Sequence, residues 1–251
     1  MKPVVLIPCY QATLTPAETA ALEQCRRLLG HYDCRVCQPE GLVLPKSFAG
    51  LQAECFPADR FSSIDSYNQL LLSAEFYERF QDWDYMLIYQ LDAWVFRDEL
   101  AEWCEQGFDY VGAPWRNAPF LREPRWRRQI PLVACFPWLA RLLYRQDFRV
   151  GNGGFSLRRV SGFRRVLRDH AARATHWDTN EDVFWSFCAP RLDAHFRIAF
   201  EAQAMRFALE LEPRYYVARM GGRLPFGCHA WQKYEPDFWA PHIAVPAGVQ
   251  A

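Results

Sequence analysis

The sequence has 251 residues, with 29 Lys and Arg against 29 Asp and Glu, and 51% of its residues are hydrophobic. This composition excludes an intrinsically disordered chain, and the length suits one large domain or two small ones with a sizeable core. The neutral total argues against a general nucleic-acid-binding protein. Aromatic residues make up 16% of the chain. They fill cores and also line sugar- and nucleotide-binding clefts, and composition leaves both uses open.

Nine cysteines occur at irregular spacing, and the apolar run Val4–Ile7 ends at Pro8, too early for the core of a signal peptide. We therefore expect a cytoplasmic protein with free thiols. The CxxC motif Cys34–Cys37 has no second pair of ligands, so a buried strand is favoured over a zinc or redox site. No apolar stretch reaches the roughly 18 residues that a transmembrane helix needs.

Strands and helices alternate in the first half of the chain. Thr15 and Pro16 open a helix that runs to about Leu29, where Gly30 ends it. Further helices are predicted over Ser66–Phe80 and Asp98–Gln106. The predicted strands are Val4–Ile7, Cys34–Cys37, Leu51–Phe56, Tyr85–Tyr89 and Tyr110–Gly112.

This alternation predicts an α/β fold with a central, mostly parallel sheet flanked by helices. Ligands of such sheets bind at the carboxyl ends of the strands. Asp92 follows the end of the predicted strand Tyr85–Tyr89 and is the first candidate functional residue.

The neutral total hides a segregation of charge. Residues 1–113 carry 17 acidic and 8 basic side chains, whereas residues 114–173 carry 3 and 14. Arginines alternate with aromatic residues from 114 to about 147, which predicts an irregular insertion in a single domain. It could be a solvated lid, an acceptor site for an anionic glycan or lipid-linked phosphate, or a peripheral membrane contact through Arg116–Arg145. No nucleic-acid motif matches, so nucleic acid is not an expected partner.

Three short motifs carry candidate chemistry. Gly151–Gly154 holds three glycines, which allow either a tight turn or a close approach of backbone to ligand. Glu181 and Asp182 precede an apolar run, where they either favour a helix N-terminus or serve as general base and substrate contact. His229 lies in a late loop; a lone His is more often structural, and Asp92 is its one compelling partner as a metal ligand.

The order of these motifs resembles a poorly characterised family of bacterial GT-A-like glycosyltransferases. The matching blocks are Tyr89–Phe96, Gly151–Arg158, Asn180–Trp185 and Pro225–Trp231, with Tyr67-Asn68 and Asp109–Trp115 as further matches. The resemblance covers about residues 4–115 and 148–240 and leaves the arginine-rich segment outside. It implies one GT-A-like (Rossmann-like) domain over residues 1–251 and transfer of a sugar from a nucleotide-sugar donor to a glycan or lipid-linked acceptor.

The resemblance also implies roles for single residues. Asp92 and His229 would bind a divalent cation, Mn²⁺ or Mg²⁺, that neutralises charge on the departing nucleotide. Glu181 or Asp182 would contact the acceptor, and Asp182 is the favoured base of an inverting displacement. The donor, with a UDP-sugar favoured, would contact Pro8, Tyr10, Gln90, Asp92, Gly153 and Gly154.

One departure from the family pattern bears on the cation. Trp94 stands where a DxD motif has its second acid. A cation that binds only together with the donor, and a metal-independent enzyme in which arginine neutralises the diphosphate, both stay open.

Two other functions remain as alternatives. The missing acid keeps a catalytically inert nucleotide- or sugar-binding module open. Nucleotidyl transfer to a sugar phosphate would need a glycine-rich, basic loop after the first strand, and Pro8–Gln11 is not one.

Overall fold

The computed structural model of this chain describes residues 1–116 and 150–245. Its strands are β1 Pro3–Pro8, β2 Asp33–Pro39, β3 Gln52–Phe56, β4 Tyr85–Tyr89, β5 Trp94–Val95, β6 Tyr110–Val111, β7 Ala113–Pro114, β8 Val150–Gly151, β9 Phe155–Arg159, β10 Ala208–Leu209 and β11 Gly227–Cys228. Its α-helices are α1 Pro16–Leu29, α2 Ile64–Leu71, α3 Ala74–Arg79, α4 Leu100–Glu105, α5 Val160–Thr175, α6 Glu181–Val183, α7 Ala189–Leu192, α8 Glu201–Phe207, α9 Pro213–Arg219 and α10 Pro236–Trp239. Short 3₁₀ turns cover Lys46–Phe48 and Ala58–Phe61, and Phe184–Cys188 is π-helical.

Six strands form the central sheet in the order β3-β2-β1-β4-β9-β6. β1 pairs in parallel with β2 and β4, and β2 pairs in parallel with β3, whereas β9 is antiparallel to β4 and β6. In this register Leu6 lies opposite Ile88, and Leu87 lies opposite Leu157. Two small sheets, β10-β11-β5 and β7-β8, flank it. The predicted mostly parallel α/β sheet is confirmed.

Each face of the sheet is covered by its own hydrophobic cluster. Val5 and Ile7 of β1 belong to the cluster that includes α1, whereas Val4 and Leu6 belong to the cluster that includes α2, α3 and α5. All four side chains are fully buried. Each such burial contributes roughly 1.5–3 kcal/mol, which explains why a central parallel strand reads as a continuous apolar run.

A capping box fixes the start of α1. The Thr15 hydroxyl accepts from the Glu18 N–H, and the Glu18 carboxylate accepts from the Thr15 N–H at 2.7 Å. Gln11 donates to the same carboxylate at 3.0 Å. The loop after β1 is therefore tied to the first turn of the helix.

The helix predicted over Ser66–Phe80 is wrong as a single element, because the structure breaks it into α2 and α3. The Ser73 hydroxyl accepts from the Phe76 N–H, which caps α3, and donates to the Leu70 carbonyl at 2.7 Å. The apolar spacing continues across the break, but the serine offers the backbone a competing set of hydrogen bonds.

The base of the predicted insertion is a short ladder in which Ala113 pairs with Gly151 and Pro114 with Val150. Arg116 is the one member of Arg116–Arg145 within the described residues. Its guanidinium lies 3.6 Å from Glu212 and stacks on the ring of Tyr215. The lid, acceptor-site and membrane-contact predictions otherwise concern residues outside the described part of the chain.

Cys34 and Cys37 lie on β2 but belong to the clusters on opposite faces of the sheet. They cannot converge on one metal ion, which agrees with the buried-strand interpretation. The eight cysteines in the described ranges are free thiols. Within the same ranges, no helix is both long and apolar enough to span a membrane.

Candidate active site

The strand order creates a switch point between β1 and β4, because β1 continues to β2 and β3 on one side while β4 lies on the other. Ligands of open α/β sheets bind outside the carboxyl ends of the strands at such a point. A cleft of about 710 Å³ lies there, within the usual range for small-molecule sites. It is lined by all nine residues that the sequence assigned to the site: Pro8, Tyr10, Gln90, Asp92, Gly153, Gly154, Glu181, Asp182 and His229.

Asp92, His229 and Gln90 meet where β4 ends. The His229 Nε2 atom lies 3.0 Å from Asp92 Oδ1 and 3.2 Å from Gln90 Oε1. The backbone holds both segments, since the Gln90 N–H donates to the Gly154 carbonyl at 2.9 Å and the His229 N–H donates to the Leu209 carbonyl at 3.0 Å. The structure therefore brings the two predicted metal ligands into direct contact.

A second carboxylate holds the other side of the imidazole ring. Glu210 Oε1 lies 3.3 Å from His229 Nδ1, and the Trp115 indole donates to Glu210 Oε2 at 3.4 Å. Burial alone would lower the pKa of His229, but the hydrogen bonds and charges of Asp92 and Glu210 outweigh it and raise the pKa to about 10. Without a bound cation, the ring is a protonated link between two carboxylates.

The residues present fit a divalent cation with few protein ligands. Two ligands that bind one ion at about 2.1 Å and at right angles lie about 3 Å apart, and the hydrogen-bonded pair Asp92 Oδ1 and His229 Nε2 has the same separation, 3.0 Å. Among residues 1–116 and 150–245, however, no three His, Cys, Asp or Glu side chains form a metal cluster. A cation here would take further oxygens from Gln90, water or a phosphate ligand.

Trp94 is absent from the polar wall of the cleft. Its side chain is buried and packs edge to face against Trp231. The second side-chain oxygen of this segment beside His229 is instead Gln90 Oε1, two residues before Asp92 rather than two after it. An amide oxygen is neutral, so the site offers a cation one charge fewer than a pair of acids.

The glycine-rich loop makes room for two side chains of the site. A Cβ atom on Gly154 would lie 2.0 Å from His229 Nε2, and one on Gly153 would lie 2.3 Å from Glu181 Oε1. Asn152 adopts φ 78°, and its Oδ1 atom accepts from the Gly154 N–H at 2.8 Å. The close approach predicted from the glycines is thus an approach to protein side chains, which leaves the predicted donor contact as a proposal.

Glu181 and Asp182, paired in the sequence interpretation, have different surroundings. Glu181 is 2% exposed and forms a bidentate ion pair with Arg158 of β9, with Oε1 at 2.8 Å from Nη2 and Oε2 at 3.2 Å from Nη1. Arg158 is fully buried and also donates to the Tyr77 hydroxyl at 2.8 Å. Both Glu181 oxygens are therefore engaged, which favours a structural and electrostatic role.

Asp182 lines the cleft, and in the described part of the chain no ion pair joins it to a cation. Its Oδ1 atom accepts from the Val183 N–H at 2.8 Å. Burial, followed by the charges of Glu181 and Glu210, raises the pKa of Asp182 from 3.8 to about 7. A carboxyl with a pKa near neutrality is suited to general-base chemistry. The residues after it are π-helical, a form that is frequent at functional sites.

Sequence reasoning missed Glu210, Arg158 and Lys233, all of which lie in or beside the cleft. Glu210 follows directly on β10, the same signal that singled out Asp92, but a two-residue strand was too short to predict. Arg158 lies on β9 between the apolar strands β4 and β6. An arginine buried there needs a buried acid as its partner. Lys233, a cleft-lining cation four residues after His229, had no distinguishing pattern.

Comparison with known proteins adds a family and a fold. The sequence model of a family described as "Protein of unknown function (DUF5672)" matches residues 50–229, more than two thirds of the chain. No curated protein matches the sequence.

Three solved structures are similar over most of this chain. The galactosyltransferase LgtC, in complex with donor and acceptor sugar analogues, has a TM-score of 0.57 at 12% identity and covers 97% of this chain and 92% of its own. Core-mannan synthase A (CmsA/Ktr4) from Aspergillus fumigatus, in its Mn/GDP form, has a TM-score of 0.51 at 10% identity, covering 81% and 71%. The bifunctional glycosyltransferase WbbM has a TM-score of 0.54 at 12% identity, and the match covers 94% of this chain and 46% of the WbbM chain. The expected GT-A-like fold is confirmed.

Proposed function

We propose that this chain, which belongs to the DUF5672 family of proteins of unknown function, is a glycosyltransferase that moves a sugar from a nucleotide-sugar donor to a glycan or glycolipid acceptor. The observation that carries the proposal is the convergence of Gln90, Asp92 and His229 with Asp182 in one cleft at the switch point of a GT-A-like sheet. Each of these residue types has a defined task in sugar transfer.

The donor end of the cleft lies between β1 and the imidazole. Pro8 and Tyr10 border the nucleotide base, and Tyr10 is 62% exposed at the rim, free to pack against it. Asp92, His229 and Gln90 would hold a divalent cation, Mn²⁺ or Mg²⁺, which would neutralise negative charge on the departing nucleoside diphosphate. Lys233 supplies a further positive charge at this end.

The acceptor end contains the acid. The Asp182 carboxylate takes the proton from the acceptor hydroxyl as that oxygen attacks the anomeric carbon of the donor sugar, in an inverting displacement. Glu181, held by Arg158, keeps a fixed negative charge beside it, which contributes to the raised pKa of Asp182. The enzyme works in the cytoplasm or at the inner membrane face, and the free thiols fit a reducing compartment.

The first test is a thermal-shift screen of UDP-, GDP-, CMP- and dTDP-sugars, each with Mn²⁺ and with EDTA. A ligand at a hundred times its Kd stabilises the native state by about 2.7 kcal/mol, so the matching donor should raise Tm by roughly 5–10 °C. We expect a UDP-sugar to give the shift and EDTA to remove it. A shift that survives EDTA would overturn the cation, and no shift with any donor would overturn the transferase.

An inert binding module is the second candidate, favoured by the single acid among the cation's ligands. Such a module would give the thermal shift but no transfer or hydrolysis of the donor. If the protein is an enzyme, Asp92→Asn should abolish both the thermal shift and turnover. If it is an inert binding module, the parent protein has no turnover and only the thermal shift is lost.

Glu210 gives a prediction that is independent of turnover. A carboxylate that holds the second nitrogen of a metal-binding His typically contributes 10- to 100-fold in metal affinity. Glu210→Ala should therefore weaken Mn²⁺ binding about 10- to 100-fold in titration calorimetry with UDP present. Glu210→Gln is the matched control, since its amide oxygen still accepts from Nδ1, and it should lose much less. Equal losses in the two variants would show that charge, not orientation, is what Glu210 contributes.

A further inference from the structure

Three polar atoms in the wall of the cleft are buried without a hydrogen-bond partner in the described part of the chain. They are the Tyr67 hydroxyl and the Nδ2 atoms of Asn68 and Asn152. The two asparagines are 8% and 2% exposed. Leaving such atoms unpaired costs folding free energy, so their collection on one wall marks a place where a polar ligand supplies the missing partners.

The hydrogen bonds that these side chains already make determine which of their atoms remain available to a ligand. Asn68 Oδ1 accepts from the Glu181 N–H at 3.3 Å, and Asn152 Oδ1 accepts from the Gly154 N–H at 2.8 Å. Each amide is thereby oriented, and its NH₂ group is the part left over. Burial raises the pKa of Tyr67 well above its ordinary value, so its hydroxyl keeps its proton and can also donate. Gln90 lies near this hydroxyl, but no hydrogen bond of ordinary geometry joins them.

The charges around these donors restrict the ligand. Glu181 and Asp182 line the same wall, and the positive charge of Arg158 is already matched by Glu181. Within the described ranges, the cations that line the cleft are Lys233 and His229, which lie beside Asp92. A carboxylate or phosphate would meet repulsion from the ionised Asp182, which has no ion pair in the described ranges, whereas the charge of Glu181 is matched by Arg158. A hydroxyl group accepts from the amides, donates to Asp182 and carries no charge.

The position of this wall identifies the ligand as the donor sugar. Gly154 abuts His229, and its neighbour Gly153 abuts Glu181. The unpaired donors therefore lie next to Gly153, one residue along the chain from Gly154, which contacts the site that would hold the diphosphate. The group attached to that diphosphate is the sugar to be transferred.

We propose that Tyr67, Asn68 and Asn152 form a subsite for the hydroxyl groups of an uncharged donor sugar, so that this enzyme transfers neutral sugars and not uronic acids. The inference rests on the proposed function and narrows its donor class. Tyr67 is here a binding residue, chosen for testing because its hydroxyl can be removed alone.

Tyr67→Phe separates the subsite from the nucleotide site. The probes are UDP-glucose and GDP-mannose, each measured beside free UDP or GDP by titration calorimetry. We expect the affinity for the sugar nucleotide to fall about 3- to 10-fold, as for one neutral hydrogen bond, while the affinity for the free diphosphate stays unchanged. The Tm of the unliganded variant should be equal or higher, because an unpaired buried hydroxyl is gone.

Tyr216→Phe is the matched control. Its hydroxyl is also buried without a partner in the described residues, but Tyr216 lies in the hydrophobic cluster on the α1 face, away from the cleft. This variant should gain stability in the same way and bind every probe as the parent does. Loss of sugar-nucleotide affinity in both variants would overturn the subsite.

Matched uronates test the charge. UDP-glucuronate and GDP-mannuronate differ from the neutral probes only at C6, and we expect them to bind no more tightly than the free diphosphates. A uronate that binds as well as its hexose would overturn the neutral class. Equal weakening of diphosphate and sugar nucleotide in Tyr67→Phe, or no change in either, would overturn the subsite itself. If no nucleotide binds to the parent protein, the proposed function fails first, which this series shows directly.

Discussion

Replacing Arg158 with methionine should lower the free energy of unfolding by about 3–5 kcal/mol and lower Tm by roughly 10 °C or more. Arg158 is fully buried, and the variant leaves the Glu181 carboxylate, 2% exposed, without its cation. An uncompensated charge in a buried position is among the most costly single changes in a protein. Tyr77 loses its donor at the same time.

Two further variants show that the cost comes from the unpaired charge. Arg158→Met combined with Glu181→Leu removes both charges, and we expect it to regain much of the lost stability. Arg168→Met removes an exposed ion pair with Asp169 of similar geometry, and we expect no measurable change. Chemical denaturation of all three variants is the measurement. If the double variant is as unstable as the single one, packing rather than charge explains the loss.

The parts of the fold that sequence predicted are those with local causes. The apolar run Val4–Ile7 predicted a strand buried on both faces, and Thr15 followed by Pro16 predicted the start of α1. Both features act within a few residues, so their pattern is visible in one segment. The order of strands also placed Asp92 at the correct end of the sheet.

The remaining features depend on contacts between distant segments. Glu210 reaches His229 across 19 positions and Arg158 reaches Glu181 across 23, so neither pair has a spacing that marks it. Ser73 broke a helix that apolar spacing had extended, because its hydroxyl satisfies backbone groups on both sides of the break. The periodicity of apolar residues reveals neither long-range pairs nor competing local hydrogen bonds. Here a long-range pair holds the Glu181 carboxylate and leaves that of Asp182 available.

That distinction leads to the largest predicted effect on activity. Asp182→Asn should reduce turnover about 10²- to 10⁴-fold, the range for loss of a general base, with donor affinity little changed. The asparagine keeps the Oδ1 atom that accepts from the Val183 N–H, so the loop should remain in place. The corresponding change at the adjacent residue, Glu181→Gln, also preserves side-chain shape. It should instead lower stability, because it removes the charged partner of Arg158.

Asp182→Asn should also stabilise the protein, and the sign of this stability change follows from the pKa of Asp182. It is raised from 3.8 to about 7 by burial, followed by the charges of Glu181 and Glu210. Between these two values the native state binds more protons than the unfolded state, so this carboxyl stabilises the fold below about pH 4 and loses that effect as pH rises through 7. Asparagine does not titrate. The variant should therefore gain about 2 kcal/mol over the parent above pH 7, allowing for the partial exposure of Asp182.

The measurement pairs turnover with unfolding between pH 4 and pH 9. The parent's turnover should rise with pH to a plateau above about 7, as the base loses its proton, while the stability gap between variant and parent widens over the same interval. Ser186→Ala is a nearby control, because its hydroxyl donates to the Asp182 carbonyl without touching the carboxyl group; it should leave the pH dependence of turnover in place. A gap that does not change with pH would show that Asp182 is not the group with the raised pKa. Full turnover in Asp182→Asn would remove it from catalysis, because an amide cannot take the proton of the acceptor hydroxyl.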